Sequence, residues 1–188
     1  AEVIFDGDGN TVLFNVMGPD YTYFEGITFR NTNLAIEAGQ KSIAGTVGLT
    51  VKRSKFDQVG VVVHSDWSGS KNFYIADNVM NGRNDPTYLI GWFNIWPWNQ
   101  VEGQQEKQRM KSYYAVSIYG SGHVVAYNSV TNFHDGIDHA TYGMPDDWPN
   151  TPRDRMPVSN DFYGNDVSNM HDNCFETDGG MHNMRVFR

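Results

Sequence analysis

Apolar residues recur in register along this chain, and a recurring register constrains a fold before any local pattern does. Phe29, Val51, Ile75, Val125, Phe162 and Val186 form one column. Leu34, Phe56, Met80, Val130 and Val167 form a second, each five residues after its partner in the first. Between them stand Thr32, Ser54, Asn78, Asn128 and Asn165, successive members being 22, 24, 50 and 37 residues apart. The column closes again at Val186, 24 residues after Phe162. The two long steps read as the same period carrying inserts of roughly 26 and 13 residues, which in a stacked repeat must loop out on one side.

Each period consists of short alternating runs broken by turn residues. Leu49-Thr-Val51 and Phe73-Tyr-Ile75 set apolar side chains two apart, the strand spacing. Ser, Asn or Thr fills the corner, where a short polar side chain can bond neighbouring backbone. A further run follows, as in Val59-Gly-Val61-Val-Val63. The period is too long for a hexapeptide coil and has no helix of the leucine-rich kind, so it fits a coil of three short strands. Asn78, Asn128 and Asn165 stacked at one corner would form a hydrogen-bonded ladder.

The phrases YFEGITFRNTN, VGLTVKRSKFDQVGVVVHS, FYIADNVMNG, GSGHVVAYNSVTNFHDGID and NDFYGNDVSNMHDNCFETDGG extend this pattern over nearly the whole chain. In them the sequence resembles the right-handed parallel β-helix of the pectate-lyase-like superfamily. The expected fold is therefore all-β, a solenoid of roughly 22–24-residue turns forming a single domain over 1–188, with insertions at 83–111 and 141–157. The chain opens and stops in what read as mid-turn segments, as expected for part of a longer protein.

Composition narrows the function. Of 22 acidic residues six are Glu, while Gly alone numbers 19, so long exposed helices are not expected but many tight corners are. A net charge of −8 argues against nucleic acid, whose phosphates need a basic surface. No apolar run reaches the length of a membrane span. The lone Cys174 excludes an internal disulfide, and its expected column with Val63 and Ile137 makes it a buried, inert thiol.

Chemistry-bearing residues gather in one quarter of the chain. Counting from Asn128 and Asn165 sets His134 over His171, Asp135 over Asp172 and His139 over Glu176. Glycoside hydrolysis needs two carboxylates, about 5–5.5 Å apart for retention and about 6.5–9.5 Å for inversion. Asp138, Glu176 and Asp178 are the candidate acids, with His139 beside them. Asp135-Gly-Ile-Asp138 is similar to phrases of β-helix polygalacturonases, but the Gly-His-Gly and Arg-Ile-Lys signatures of that family are absent. The resemblance also implies polysaccharide lyase chemistry, in which Asp135 and Asp172 could hold Ca²⁺ and His139, His171 or Arg185 would act as base. The plainer alternative is that these Asp and His residues only satisfy turn backbone.

The inserts carry aromatic side chains. Tyr88, Trp92, Phe93, Trp96 and Trp98 fall within eleven residues of the first, and Trp148 stands beside two Asp in the second. Exposed rings are platforms for sugar faces, which makes Trp148, Trp92 and Trp96, with His171 and His64, candidate contacts for a polysaccharide or oligosaccharide. For Trp96 the alternative of a private loop core is at least as strong. The expected function is a secreted or cell-surface carbohydrate-active enzyme, a hydrolase ahead of a lyase. Its rival is a non-catalytic adhesin, structural or carbohydrate-binding segment.

Overall fold

The computed structural model describes residues 2–9, 12–83, 112–139, 156–177, 180 and 182–188. Seventeen strands make up the regular structure of these residues. In chain order they are β1 (Val3–Asp6), β2 (Val12–Asn15), β3 (Tyr23–Glu25), β4 (Ile27–Gln40), β5 (Ala44–Gly45) and β6 (Thr50–Lys52). Next come β7 (Lys55–Ser65), β8 (Tyr74–Ala76), β9 (Val79–Gly82), β10 (Tyr114–Ile118), β11 (Val124–Ala126) and β12 (Ser129–Thr131). The last are β13 (Asp135–His139), β14 (Asp161–Tyr163), β15 (Asp166–Ser168), β16 (Phe175–Glu176) and β17 (Arg185–Phe187).

These strands correct the expected fold. A right-handed parallel β-helix of uniform turns built from three separate strands is not what they form. They make two parallel sheets of unequal size, a smaller flat one of six strands and a larger curled one of eleven. The smaller runs β17-β14-β11-β8-β6-β3. The larger forks: the first half of β7 pairs with β9, its last residues pair with β10, and the whole strand pairs with β4. One branch then continues through β12 to β15 and the other through β13 to β16. Long strands merge what the sequence reading kept apart, because β4 and β7 pass their corners without leaving the sheet. Bulges at Asp57/Val59 and Glu37/Gly39 absorb the bend. The only antiparallel pair among the described strands is β4 with β5.

The apolar columns survive in altered register. Val51, Ile75, Val125, Phe162 and Val186 pair in succession across the smaller sheet, but Phe24, not Phe29, precedes Val51. Phe29 belongs to the larger sheet, followed by Phe56, Met80, Val130 and Val167, while Leu34 pairs with Val61. The first repeat is 27 residues long, as Phe24↔Val51 and Phe29↔Phe56 show, so a count of 22 slides β4 by five residues. Phe29 and Phe56 stack at 4.7 Å with rings 3° from parallel, and both are fully buried. Alternation across the pleat sends such side chains inward while the corners take the polar ones.

At the corner joining the two sheets, four chain crossings use the same device. Arg53, Asp77, Tyr127 and Gly164 adopt left-handed backbone (φ of 48°, 58°, 58° and 63°), and the next residue turns a polar side chain inward. Gly164 is required twice over, since a Cβ there would also stand 2.6 Å from the Tyr127 ring. The inward residues form the expected ladder. Asn78 Oδ1 accepts from the Ser54 amide, Asn128 Oδ1 from Asn78 and Asn165 Oδ1 from Asn128, each at 3.0 Å. Each Asn Nδ2 in turn donates to a strand carbonyl, Val51, Ile75 or Val125. Asn128→Ala should therefore leave the Asn78 backbone amide without its acceptor and strip one partner each from Asn78 Nδ2 and the Ile75 carbonyl in a buried corner. At about 1–3 kcal/mol for an orphaned buried group, urea unfolding should show a loss of at least about 2 kcal/mol with an unchanged m-value.

The expected insertions, 83–111 and 141–157, fall almost wholly outside the described residues, and Trp92, Trp96 and Trp148 lie outside them too. Around the first, the Arg83 amide donates to Ser112 Oγ at 2.7 Å, and Ser112 Oγ donates to the Val59 carbonyl at 2.7 Å. Arg83, the first residue of that insertion, and Ser112, the residue just after it, are thus in direct contact. Among the described residues no helix is long and apolar enough to cross a membrane.

Candidate functional site

The larger sheet carries a row of ionisable side chains in register. Ile36, Val63, Val116 and Ile137 are fully buried partners on β4, β7, β10 and β13, continued by Phe175 on β16. The residue after each is polar: Glu37, His64, Ser117, Asp138 and Glu176 are likewise partners, strand to strand. Alternation sends them to the other side of the sheet. Neighbouring backbones in such a row are about 4.8 Å apart, so five functional groups form a continuous line.

Three members of the row are nearly inaccessible, Glu37 at 6 %, Ser117 at 3 % and Asp138 at 2 %. A buried carboxylate requires partners. Glu37 meets His64 Nδ1 at 2.9 Å and accepts from Gln40 Nε2 at 3.2 Å. Asp138 Oδ2 accepts from Ser117 Oγ at 2.8 Å. His64 Nε2 lies 3.2 Å from Asp66, so the imidazole is held between two carboxylates. Burial alone would lower its pKa, but Asp66 and Glu37 together outweigh burial and raise it to about 10. His64 is therefore a cation at neutral pH. Next to the row, burial and then the charges of Asp138, Asp135, Glu176 and Asp66 raise the Tyr114 phenol above its ordinary value, which keeps it protonated.

Of the acids read from the sequence, Asp138 and Glu176 are brought together as register partners. The expected stacking of His139 over Glu176 is displaced by one residue. From Asn165 to Phe175 there are ten steps and from Asn128 to Ile137 nine, so the corner near His171 holds one residue more. A one-residue slip moves every side chain to the opposite face. It carries Glu176 out of line with His139 and into line with Asp138, and it gives Cys174's expected place beside Ile137 to Phe175. Cys174 is consequently exposed, not buried.

His139 turns into the core. Its ring stacks on Phe162 at 4.7 Å and its Nε2 lies 3.1 Å from Asn160 Nδ2. Asp178 lies outside the described residues. Arg185 sits on the smaller sheet, its guanidinium paired with Asp161 at 2.5 and 2.6 Å. His171 is buried against His134, with Nδ1 atoms 2.6 Å apart and ring centroids at 4.7 Å. His134, Asp135 and Asp172 each offer a ligand atom, all within 4.8 Å of one another. Sequence reasoning passed over Glu37, Ser117, Tyr114 and Asp66. The signal was an apolar residue followed by a polar one at Ile36-Glu37, Val63-His64, Val116-Ser117 and Ile137-Asp138, legible only once the 27-residue first repeat is known.

The histidines give stability opposite pH limbs. Burial lowers His123 to about 3 and His134 and His139 to about 4. Between those values and the ordinary pKa near 6.5 the unfolded chain binds more protons than the folded one, so stability falls as the solution is acidified. His64 has the reverse sign. Its contribution is complete below about 6.5 and is lost as pH rises towards 10. Denaturant midpoints across pH 4–10 should pass through a maximum between the two limbs. His64→Gln should flatten the alkaline limb and leave the acid limb in place.

No family model, curated protein or solved structure matches this chain.

Proposed function

We propose that the Glu37–His64–Ser117–Asp138–Glu176 row is the active site of an enzyme that cleaves the glycosidic bonds of a polysaccharide by hydrolysis. The observation that carries the reading is the register pairing of Asp138 with Glu176 on adjacent parallel strands. Strand spacing of about 4.8 Å suits the about 5–5.5 Å between the carboxyl groups of retaining enzymes better than the wider gap of inverting ones. Asp138, fixed by the Ser117 hydroxyl, attacks the anomeric carbon and forms a glycosyl ester. Glu176, half-buried and so able to exchange protons with solvent, first protonates the leaving oxygen and then deprotonates the attacking water.

The His64 cation stands one strand beyond Ser117 in the same row, and the Tyr114 phenol, kept protonated, feels the charges of Asp138 and Glu176. The same observations disfavour elimination. Its base must be unprotonated, whereas His64 is charged at neutral pH, His139 turns into the core against Phe162, His171 is paired with His134, and Arg185 is tied to Asp161. A polymeric substrate would place the working enzyme outside the cell.

Incubation of the protein with a panel of neutral and acidic polysaccharides tests this reading. New reducing ends without near-ultraviolet absorbance, and a first-formed anomer of retained configuration by NMR, are the expected results. An unsaturated product would transfer the site to lyase chemistry, and an inverted anomer would remove the nucleophilic role from Asp138.

A further inference from the structure

We infer that His134, Asp135 and Asp172 form a binding site for one divalent transition-metal ion, apart from the proposed hydrolytic pair and independent of that reading. The three ligand atoms lie within 4.8 Å of one another, and His134 and Asp135 are at most 2 % exposed. His134 Nε2 is 3.7 Å from Asp135 Oδ2. That is too long for a hydrogen bond and close to the about 3–3.5 Å expected between two donors of one tetrahedral ion with bonds near 2.0–2.2 Å. A small inward movement of either side chain would bring this pair to bonding distance, and three protein donors would leave a fourth position open.

The surroundings orient each donor. Asp135 Oδ1 is occupied by the Asn173 amide at 3.0 Å, which turns Oδ2 towards His134. The Asp172 amide donates to the His134 carbonyl at 2.9 Å, fixing the turn that carries the third ligand. The imidazole is oriented from behind. His134 and His171 meet Nδ1 to Nδ1 at 2.6 Å, which requires a proton on one nitrogen and a lone pair on the other. When His134 is the donor, its Nε2 presents a lone pair to the Asp135 carboxylate, and a cation between them resolves the opposition. A hydrogen bond on the far nitrogen is also the usual support of a metal-bound histidine.

Donor chemistry selects the ion. Calcium takes six to eight oxygens and has no use for an imidazole, whereas one nitrogen and two carboxylates suit zinc or manganese. Bound there, the ion would tie the start of β13 to the 171–173 turn, whose extra residue sets the register of Glu176.

The full chain, stripped with a chelator and then given zinc, manganese or calcium alone, supplies the test. Elemental analysis after gel filtration should find about one zinc per chain, and the melting temperature should rise by several degrees with zinc. Asp172→Asn, on a half-exposed turn that tolerates it, should lose the bound zinc and the shift. Asp138→Asn should keep both. His134→Gln should behave as Asp172→Asn does if it folds. The proposal is overturned by a chain that takes up no zinc, by zinc retained in Asp172→Asn, or by preferential uptake of calcium.

Discussion

Glu176→Gln and Asp138→Asn are each expected to lower turnover of a cleaved polysaccharide by at least about a hundredfold, and by up to about ten-thousandfold. Both changes are isosteric. The amide oxygen introduced by Asp138→Asn can still accept the Ser117 hydroxyl, and Glu176→Gln alters a half-buried position, so circular dichroism and melting temperature should stay near those of the parent. What is lost is charge and a transferable proton. The two variants should differ in kind. Without the acid/base, substrates with a good leaving group keep much of their rate for the first step, because no proton has to be donated. Without the nucleophile, both kinds of substrate slow together. Glu37→Gln is the contrast: it removes one of the two carboxylates that hold His64 charged. It should shift the alkaline limb of the pH–rate profile towards neutrality while sparing the rate at its optimum. Full activity in both Asp138→Asn and Glu176→Gln would end the carboxylate mechanism.

How far the sequence carried the fold depends on how each residue is constrained. The Asn corner was legible because its residues repeat one chemical device, a side-chain amide replacing a lost backbone partner, and Asn78, Asn128 and Asn165 were placed together correctly. The all-β character followed from the same columns, and parallel pairing was what the resemblance implied. The architecture was not legible. Merging of strands at β4 and β7 depends on whether the backbone at a corner keeps its pairing, and Asn31 and Gln58 turn with left-handed φ inside continuous strands. Nothing in residue type separates those corners from Asp77 or Tyr127, where the chain leaves one sheet for the other.

The site failed on counting. Asp138, Glu176 and His64 were picked as chemistry-bearing residues, but one extra residue near His171 hid which of them align. Residues such as Glu37, contributed by a strand far earlier in the chain, join the row only through the sheet's order. The expected sugar contacts at Trp92, Trp96 and Trp148 lie outside the described residues, so the proposed site rests on the row alone.

Phe56→Ala should be among the most damaging truncations in the molecule, at about 3–5 kcal/mol. Phe56 is fully buried, and its ring lies flat on Phe29 at 4.7 Å, where it joins a chain of rings through Phe24 and Phe14. Parallel strands on both sides fix the backbone on either flank, leaving little room for collapse into the cavity. The register makes this prediction specific. With Phe29 and Phe56 in one column, a double-mutant cycle to Ala should return a coupling energy of about 0.5–1.5 kcal/mol, the usual worth of an aromatic pair beyond its buried area. Were Phe29 instead aligned with Val51, as a 22-residue first repeat requires, the two truncations would simply add. Phe187→Ala, a ring 40 % exposed on the last strand, supplies the scale and should cost a small fraction of the Phe56 value. Additive losses at Phe29 and Phe56 in urea unfolding would refute the 27-residue register, and with it the alignment of Glu37 and His64 that the site depends on.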